Sequence, residues 1–251
     1  MKELTVIIPI KELKDEAEIE LLKKAIDSAG DNIILLVGPK AELDKVKDKS
    51  VKKLVNSSDN FDYQHQVNMA VDEINTKYFS VLEFDDCFSN SWFTNVEKYL
   101  AVDTEQISVF LPLTEIIDYA NGNAIGYANE VFWASSFSEE IGFPDMESML
   151  NYLNFNTSGA IFKKDDFIAL GGLKESMKLV FWFEYLLRSL YNNKLLFVIP
   201  KVGYYHVVNR EGSLSAEYAK NISEKEANWL VDLAKKEYYF KKDRNKVYEE
   251  E

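Results

Sequence analysis

Cysteine is nearly absent: Cys87 stands alone in 251 residues, so no internal disulfide can form, and this usage fits a reducing compartment. Proline and glycine are sparse, at 5 and 10, and no low-complexity stretch or internal repeat is present. That argues against global disorder and against a repeat architecture. No run approaches the roughly 18 apolar residues of a membrane span. The apolar segment near the N-terminus, LTVIIPI, is short and soon followed by acids, unlike a secretory signal. A soluble cytoplasmic protein without a transmembrane segment is expected. Basic residues are outnumbered, with 29 Lys and Arg against 42 Asp and Glu, which gives a net charge of −13. Such a field repels phosphate backbones, so no nucleic-acid partner is expected, and any nucleotide ligand needs a metal ion or a local basic group. Apolar residues are plentiful. Hydrophobic residues make up 47% and aromatics 14%, enough for the core of one large domain.

The first 86 residues alternate between buried-strand and amphipathic-helix patterns. LTVIIPI (4–10), closed at Pro9, reads as a strand covered on both faces. DEAEIELLKKAIDSAG places Ile19, Leu22, Ala25 and Ile26 at helical spacing, with acids early and Gly30 at the end. Strands follow at 32–38, 51–56 and 77–84, separated by helices over AELDKVKDK and YQHQVNMAVDEINT. This alternation predicts an α/β fold built on a mostly parallel central sheet flanked by helices. The middle changes character, with strand-like runs around Asn121-Gly122-Asn123 that suggest an antiparallel hairpin. A helix over SMKLVFWFEYLLRSLYNN and a strand over KLLFVIP come next. The chain then divides into a main domain, 1–215, and a C-terminal helical extension, 216–251. The extension carries Ala227, Leu230, Ala234 and Tyr238 on one face, suited to packing on the domain or on a second copy.

The stretch KYFSVLEFDDCF ends a buried strand with three carboxylates, Glu83, Asp85 and Asp86. Ligands of open α/β sheets bind beyond the carboxyl ends of the strands. Residues two apart on a strand share a face, so Glu83 and Asp85 are expected to point together into a crevice, with Asp86 free in the turn. Converging carboxylates repel, and a divalent cation such as Mn²⁺ or Mg²⁺ relieves the repulsion. The competing reading is that Asp85 and Asp86 cap the following segment.

Taken in order, TVIIPI, Asn68 in QVNMAV, TKYFSVLEFDD, TSGAIFKKDDFIALGGLKE, the aromatic helix with Arg188, and FVIPKVGYYHVVNREGSLS resemble the family 2 glycosyltransferases of GT-A fold over residues 4 to 215. Segments of this kind occur in phage- and virus-encoded members. The resemblance implies a GT-A fold and transfer of a sugar from a nucleotide-diphosphate sugar to a carbohydrate, protein or other hydroxyl acceptor. It implies Mn²⁺ or Mg²⁺ as cofactor, with Asp85, Asp86 and His206 as ligands. Pro9, Asn68, Glu83, Asp85 and Arg210 fall where the donor is bound. Gly171 and Gly172 match the family's double-glycine turn.

Three departures stand out. Where relatives carry an acid that reads the base, this chain has VGPK, leaving Asp59 or Asp62 as substitutes. Val67 replaces an Arg before Asn68. The acid pair that supplies the general base falls on Phe181 and Trp182, so Glu184 is the nearest candidate. Two residues along a helix turn it by about 200°, away from the face of Trp182, and a buried polar partner is the competing role. Trp133 and Trp182 are candidates for stacking on a sugar ring or acceptor. The alternative to an enzyme is a GT-A-shaped binding or structural protein that has lost turnover. A sugar-phosphate nucleotidyltransferase ranks last, because no Gly-rich, Arg-containing loop follows the first strand.

Overall fold

The computed structural model describes all residues except 2, 104–105, 136–139, 154, 214–215, 217–219 and 249–251, and for 237 and 239–248 the backbone alone. Strand β1 (Leu4–Pro9) is buried along its whole length. Leu4, Val6 and Ile8 feed one core cluster and Ile7 the other, so both faces of the sheet are covered. Helix α1 (Glu16–Ser28) starts where Asp15 accepts the Glu18 N–H at 2.9 Å, and buries Leu22, Ala25 and Ile26. Strand β2 (Ile33–Gly38), helix α2 (Lys40–Leu43), β3 (Lys52–Val55), α3 (Tyr63–Glu73) and β4 (Tyr78–Val81) continue the alternation. The four strands are parallel, in the order β3-β2-β1-β4. Of the helix expected over 41–49 only Lys40–Leu43 forms. Beyond it, Lys47 donates to the Asp44 carbonyl and Asp48 accepts from Ser50, local bonds that compete with helix.

Strand β5 (Cys87–Phe88), helix α4 (Trp92–Leu100), β6 (Val109–Asp118), β7 (Ala124–Ala128), α5 (Met146–Asn151), β8 (Ile161–Lys163), α6 (Lys164–Ala169), α7 (Phe181–Tyr191), β9 (Leu196–Val208) and α8 (Glu224–Tyr248) complete the fold. The sheet extends as β4-β8-β6-β9-β5, with β7 on β6 in the expected hairpin. Strand β8 is antiparallel to β4 and β6, while β6 and β9 are parallel. β9 is longer than its apolar run: the register shifts beside Pro112 and Leu113, and the strand continues to Val208. Gly203 permits this passage, because a Cβ there would meet Trp92 at 2.3 Å. This extension carries His206 to the end of β4.

Helix α8 packs on α7, with Leu230, Ala234 and Tyr238 buried and Ala227 half-buried. The apolar face legible in the sequence therefore covers this chain's own core. No helix of the described residues is long and apolar enough to cross a membrane.

Candidate functional site

Strand β4 stops at Val81. Leu82 still donates to the Ile7 carbonyl, and then the Asp86 N–H closes a turn on the Glu83 carbonyl at 3.1 Å. The three carboxylates thus sit on a turn rather than along one strand face. Glu83 and Asp85 line a cleft together with Pro9, Lys11, Lys14 and Arg210, beyond the carboxyl ends of β1 and β4. This is the position at which open α/β sheets bind ligands.

Each carboxylate has a partner of its own. Arg210 donates from Nε to Asp85 at 2.5 Å and from Nη1 to Glu18 at 3.0 Å, and its guanidinium lies 4.8 Å over the Phe84 ring. Glu18 in turn accepts the Lys14 N–H at 2.7 Å, so the start of α1 is tied to the arginine. Burial lowers the Arg210 pKa, but the Asp85 and Glu18 charges outweigh it, leaving it raised and the cation secure. Tyr63, from the first turn of α3, donates its phenol to Glu83 at 2.8 Å. Burial, then the Asp86 charge, pushes the Glu83 carboxyl up to about 7.

Asp86 faces away from the cleft and is only 1% exposed. One oxygen accepts the Val207 N–H at 2.7 Å and the other meets His206 Nδ1 at 2.8 Å. Burial lowers the His206 pKa, but its bond to Asp86 outweighs this and leaves it raised. Aspartate and imidazole therefore titrate as one unit.

Among the described residues, no group of three or more His, Cys, Asp or Glu is gathered into a cage for a metal ion. Mg²⁺ and Mn²⁺ at phosphate sites are held by one or two carboxylates, with waters and phosphate oxygens completing the shell. Glu83 and Asp85 suit that arrangement, since each has a second oxygen outside the bonds above, at the cleft wall. His206, expected as a third ligand, is not among the residues of the cleft wall; its Nδ1 meets the Asp86 carboxylate instead. The donor set fits a cation shared with a phosphate ligand, not a protein-only cage.

The other expected residues lie elsewhere. Glu184 is 0% exposed and holds Arg188 at 2.8 Å, Lys174 at 2.7 Å and the Tyr238 hydroxyl at 2.7 Å. It is absent from the cleft wall, and its carboxylate is spent inside the core. Asn68 clips the Leu173 backbone from both sides, at 2.8 and 2.9 Å, and leaves no room for a Cβ at Gly172, which would lie 2.6 Å from its Oδ1. Gly171 and Gly172, at φ +84° and +64°, serve that turn. Trp133 donates to the Val198 carbonyl and packs on Phe197, away from the cleft. Trp182 stacks on Phe162 at 4.8 Å and bounds a second cavity. Asp62 is exposed and pairs with Lys178.

Sequence reasoning missed Glu18, Tyr63, Gln66 and Lys14 as parts of the cleft. Glu18 looks like a first-turn helix acid, and Tyr63 like an ordinary helix start. Gln66 is buried in the cleft wall and donates to the Phe61 carbonyl, while its Oε1 has no partner among the described residues. A Cβ on Gly38 would stand 3.3 Å from that oxygen, which places Gln66 beside the VGPK segment.

No family model matches the chain, and no curated protein matches it. Solved structures do. S. aureus TarS 1–349 superposes with a TM-score of 0.59 at 15% identity, over 82% of this chain and 60% of that one. Its complex with UDP-GlcNAc gives 0.61 at 14% identity over 86% and 61%, and its complex with UDP gives 0.60 at 14% over 83% and 61%. The chain spans about 60% of the length of these TarS chains. Likeness at this identity speaks for the fold: the chain has the GT-A glycosyltransferase fold, helices flanking a sheet whose first half is parallel.

Proposed function

We propose that the chain is a glycosyltransferase that draws its sugar from a nucleotide-diphosphate sugar, with a UDP-sugar as the first candidate. One observation carries this reading: carboxylates, an arginine and two lysines share a single cleft wall at the ligand-binding edge of a GT-A fold. Relatives in shape were solved with UDP and UDP-GlcNAc. Arg210 and Lys14 hold the diphosphate, supplying the local positive charge that a chain of −13 requires. Glu83 and Asp85 would hold Mn²⁺ or Mg²⁺ from the cleft wall, with waters and phosphate oxygens completing the shell. Such a cation, when bound, offsets the charge that develops on the leaving diphosphate. Gln66 offers its unpartnered oxygen to an N–H of the base, in place of the acid missing from VGPK.

The general base is not assigned to Glu184, whose carboxylate is fully engaged. That fact favours a second reading, a nucleotide-sugar-binding protein without transfer. Calorimetric titration of UDP and UDP-GlcNAc, with and without Mn²⁺, separates the readings from other functions. Binding should strengthen at least tenfold with Mn²⁺ and fall by as much in Asp85→Asn and Arg210→Gln. Gln66→Leu should weaken UDP by about tenfold, the value of one buried hydrogen bond. Absence of binding to any nucleotide overturns both readings. Tight binding with neither donor hydrolysis nor transfer selects the second.

A further inference from the structure

The carboxylate cleft runs across the sheet edge in a definite direction. Asp85 and Arg210 stand beyond the end of β4, Pro9 closes β1, and Phe61 and Gln66 wall the side toward β2 and β3. The loop that carries Phe61 leaves β3 where the Asn56 N–H bonds to the Gly38 carbonyl of β2 at 2.9 Å. Two interstrand spacings separate β4 from β2, about 10 Å, a reach comparable to that from a diphosphate through a ribose to its base. Three aromatic rings line the cleft among the described residues: Phe61, Tyr63 and Phe84. Tyr63 donates to Glu83 and packs on Phe181, with 5.2 Å between ring centroids. Phe84 lies under the Arg210 guanidinium. Phe61 is half-buried and has neither a ring nor a cation against it among the described residues.

The loop around Phe61 is held on both sides of the ring. The Asn56 side-chain oxygen accepts the Ser58 N–H at 2.9 Å, and its nitrogen donates to the Asn60 carbonyl at 2.7 Å. The Asn60 side-chain oxygen accepts the Asp62 N–H at 2.9 Å, and Gln66 donates to the Phe61 carbonyl at 3.0 Å. Glu175, from the segment before α7, bridges this loop to helix α3. One of its oxygens accepts from Asn60 at 3.3 Å and the other meets His65 Nδ1 at 2.9 Å. Bonds before, at and after Phe61 thus fix its backbone, so the ring has little freedom left to lose when a ligand arrives.

We propose that Phe61 is the platform on which the nucleobase of the donor stacks, with the nucleoside lying toward β2 and β3 and the diphosphate toward Arg210. The inference rests on the transferase reading above and assigns the one wall aromatic that other contacts leave open. A flat base laid on Phe61 removes apolar surface of both rings from water. Stacking reads the face of a base and not its edge, so Phe61 supplies affinity while an edge contact such as that of Gln66 supplies the choice of base. The net charge of the chain gives this contact its weight. At −13 the field opposes the phosphates, whereas a neutral base stacks without meeting that repulsion.

The test titrates UDP, UDP-GlcNAc and inorganic pyrophosphate, each with Mn²⁺, into the wild type and Phe61 variants. Phe61→Ala should weaken UDP and UDP-GlcNAc alike, by about tenfold, the scale of one base stacked on an aromatic side chain, and leave pyrophosphate unchanged. Phe61→Tyr keeps the ring and should restore UDP affinity to within about twofold of the wild type. In Phe61→Trp the new indole should lose emission when UDP is added and keep it when pyrophosphate is, a signal that a merely structural ring would not give. UDP affinity unchanged in Phe61→Ala, or a loss confined to UDP-GlcNAc, overturns the inference alone. An equal loss of UDP and pyrophosphate does the same, since Phe61 would then be a support of the cleft wall. Failure of UDP to bind the wild type overturns the transferase reading and the inference with it.

Discussion

Glu83 is the residue whose charge state the fold controls most directly. Its folded pKa of about 7 lies above the ordinary 4.5. An acid raised in this way stabilises the fold fully below 4.5, and the contribution is lost as pH rises through about 7. Glu83→Gln stays neutral throughout. In metal-free buffer the wild type should therefore lose about 3 kcal/mol relative to this variant between pH 4.5 and 8, measured by urea unfolding at several pH values. Parallel curves for the two proteins would show that the carboxylate is better solvated than its surroundings suggest. Arg210 has the opposite role. Removing it in Arg210→Met leaves Asp85 and Glu18 as uncompensated charges, which costs about 3 kcal/mol. Adding Asp85→Asn and Glu18→Gln should return most of that, and a triple variant no more stable than the single would assign the loss to packing on Phe84 instead. Neither Glu18 nor Tyr63 was legible as a cleft residue. Each earns its position from a partner far away in sequence, 192 residues for Glu18 and Arg210 and 20 for Tyr63 and Glu83.

At the scale of elements, legibility followed locality. Helix α1 announces itself through its early acids, the spacing of Ile19, Leu22, Ala25 and Ile26 and the closing Gly30, all contained in one short segment. Strands β1 to β4 do so through runs of apolar residues buried on both faces. Helix α4 was not foreseen: it buries only Trp92 and Val96, and Trp92 finds its partner, the Gly159 carbonyl, across the molecule. The second half of β9 was hidden by Pro200 and Lys201, which interrupt the apolar run, while β6 holds it in place. Helix α7 starts at Phe181, and its interior acid Glu184 was readable only as base or buried partner. The structure shows three partners on its carboxylate. Tyr238→Phe removes one of them and keeps the ring. A buried charge losing one hydrogen bond costs about 1.5–3 kcal/mol, so the thermal midpoint should drop by several degrees while nucleotide binding is unchanged. An unaltered midpoint would mean that Arg188 and Lys174 alone satisfy the carboxylate.

Over the whole molecule, the fold was legible because alternation of strand and helix leaves few topologies, whereas the site depends on a meeting of distant segments. Asp86 and His206 are 120 residues apart, and only the ordered resemblance joined them in the sequence. The placement of α8 was open in the sequence for the same reason: an apolar stripe specifies burial, not against what. In the structure the stripe closes the core beside α7, Tyr238 reaches Glu184, and Val231 walls the second cavity. Fully burying a side chain such as Leu230 or Tyr238 contributes about 1.5–3 kcal/mol, against a total stability of about 5–15 kcal/mol for a domain. Deleting residues 224–251 should therefore remove a large part of the margin and leave Glu184 short of a partner. Circular dichroism at 222 nm and tryptophan fluorescence should report one coincident transition in the full chain, and a midpoint lowered by 10 °C or more after deletion. A deleted chain that melts as the full one does would make α8 a separate unit resting on the surface, with Leu230, Ala234 and Tyr238 contributing nothing to the fold beneath them.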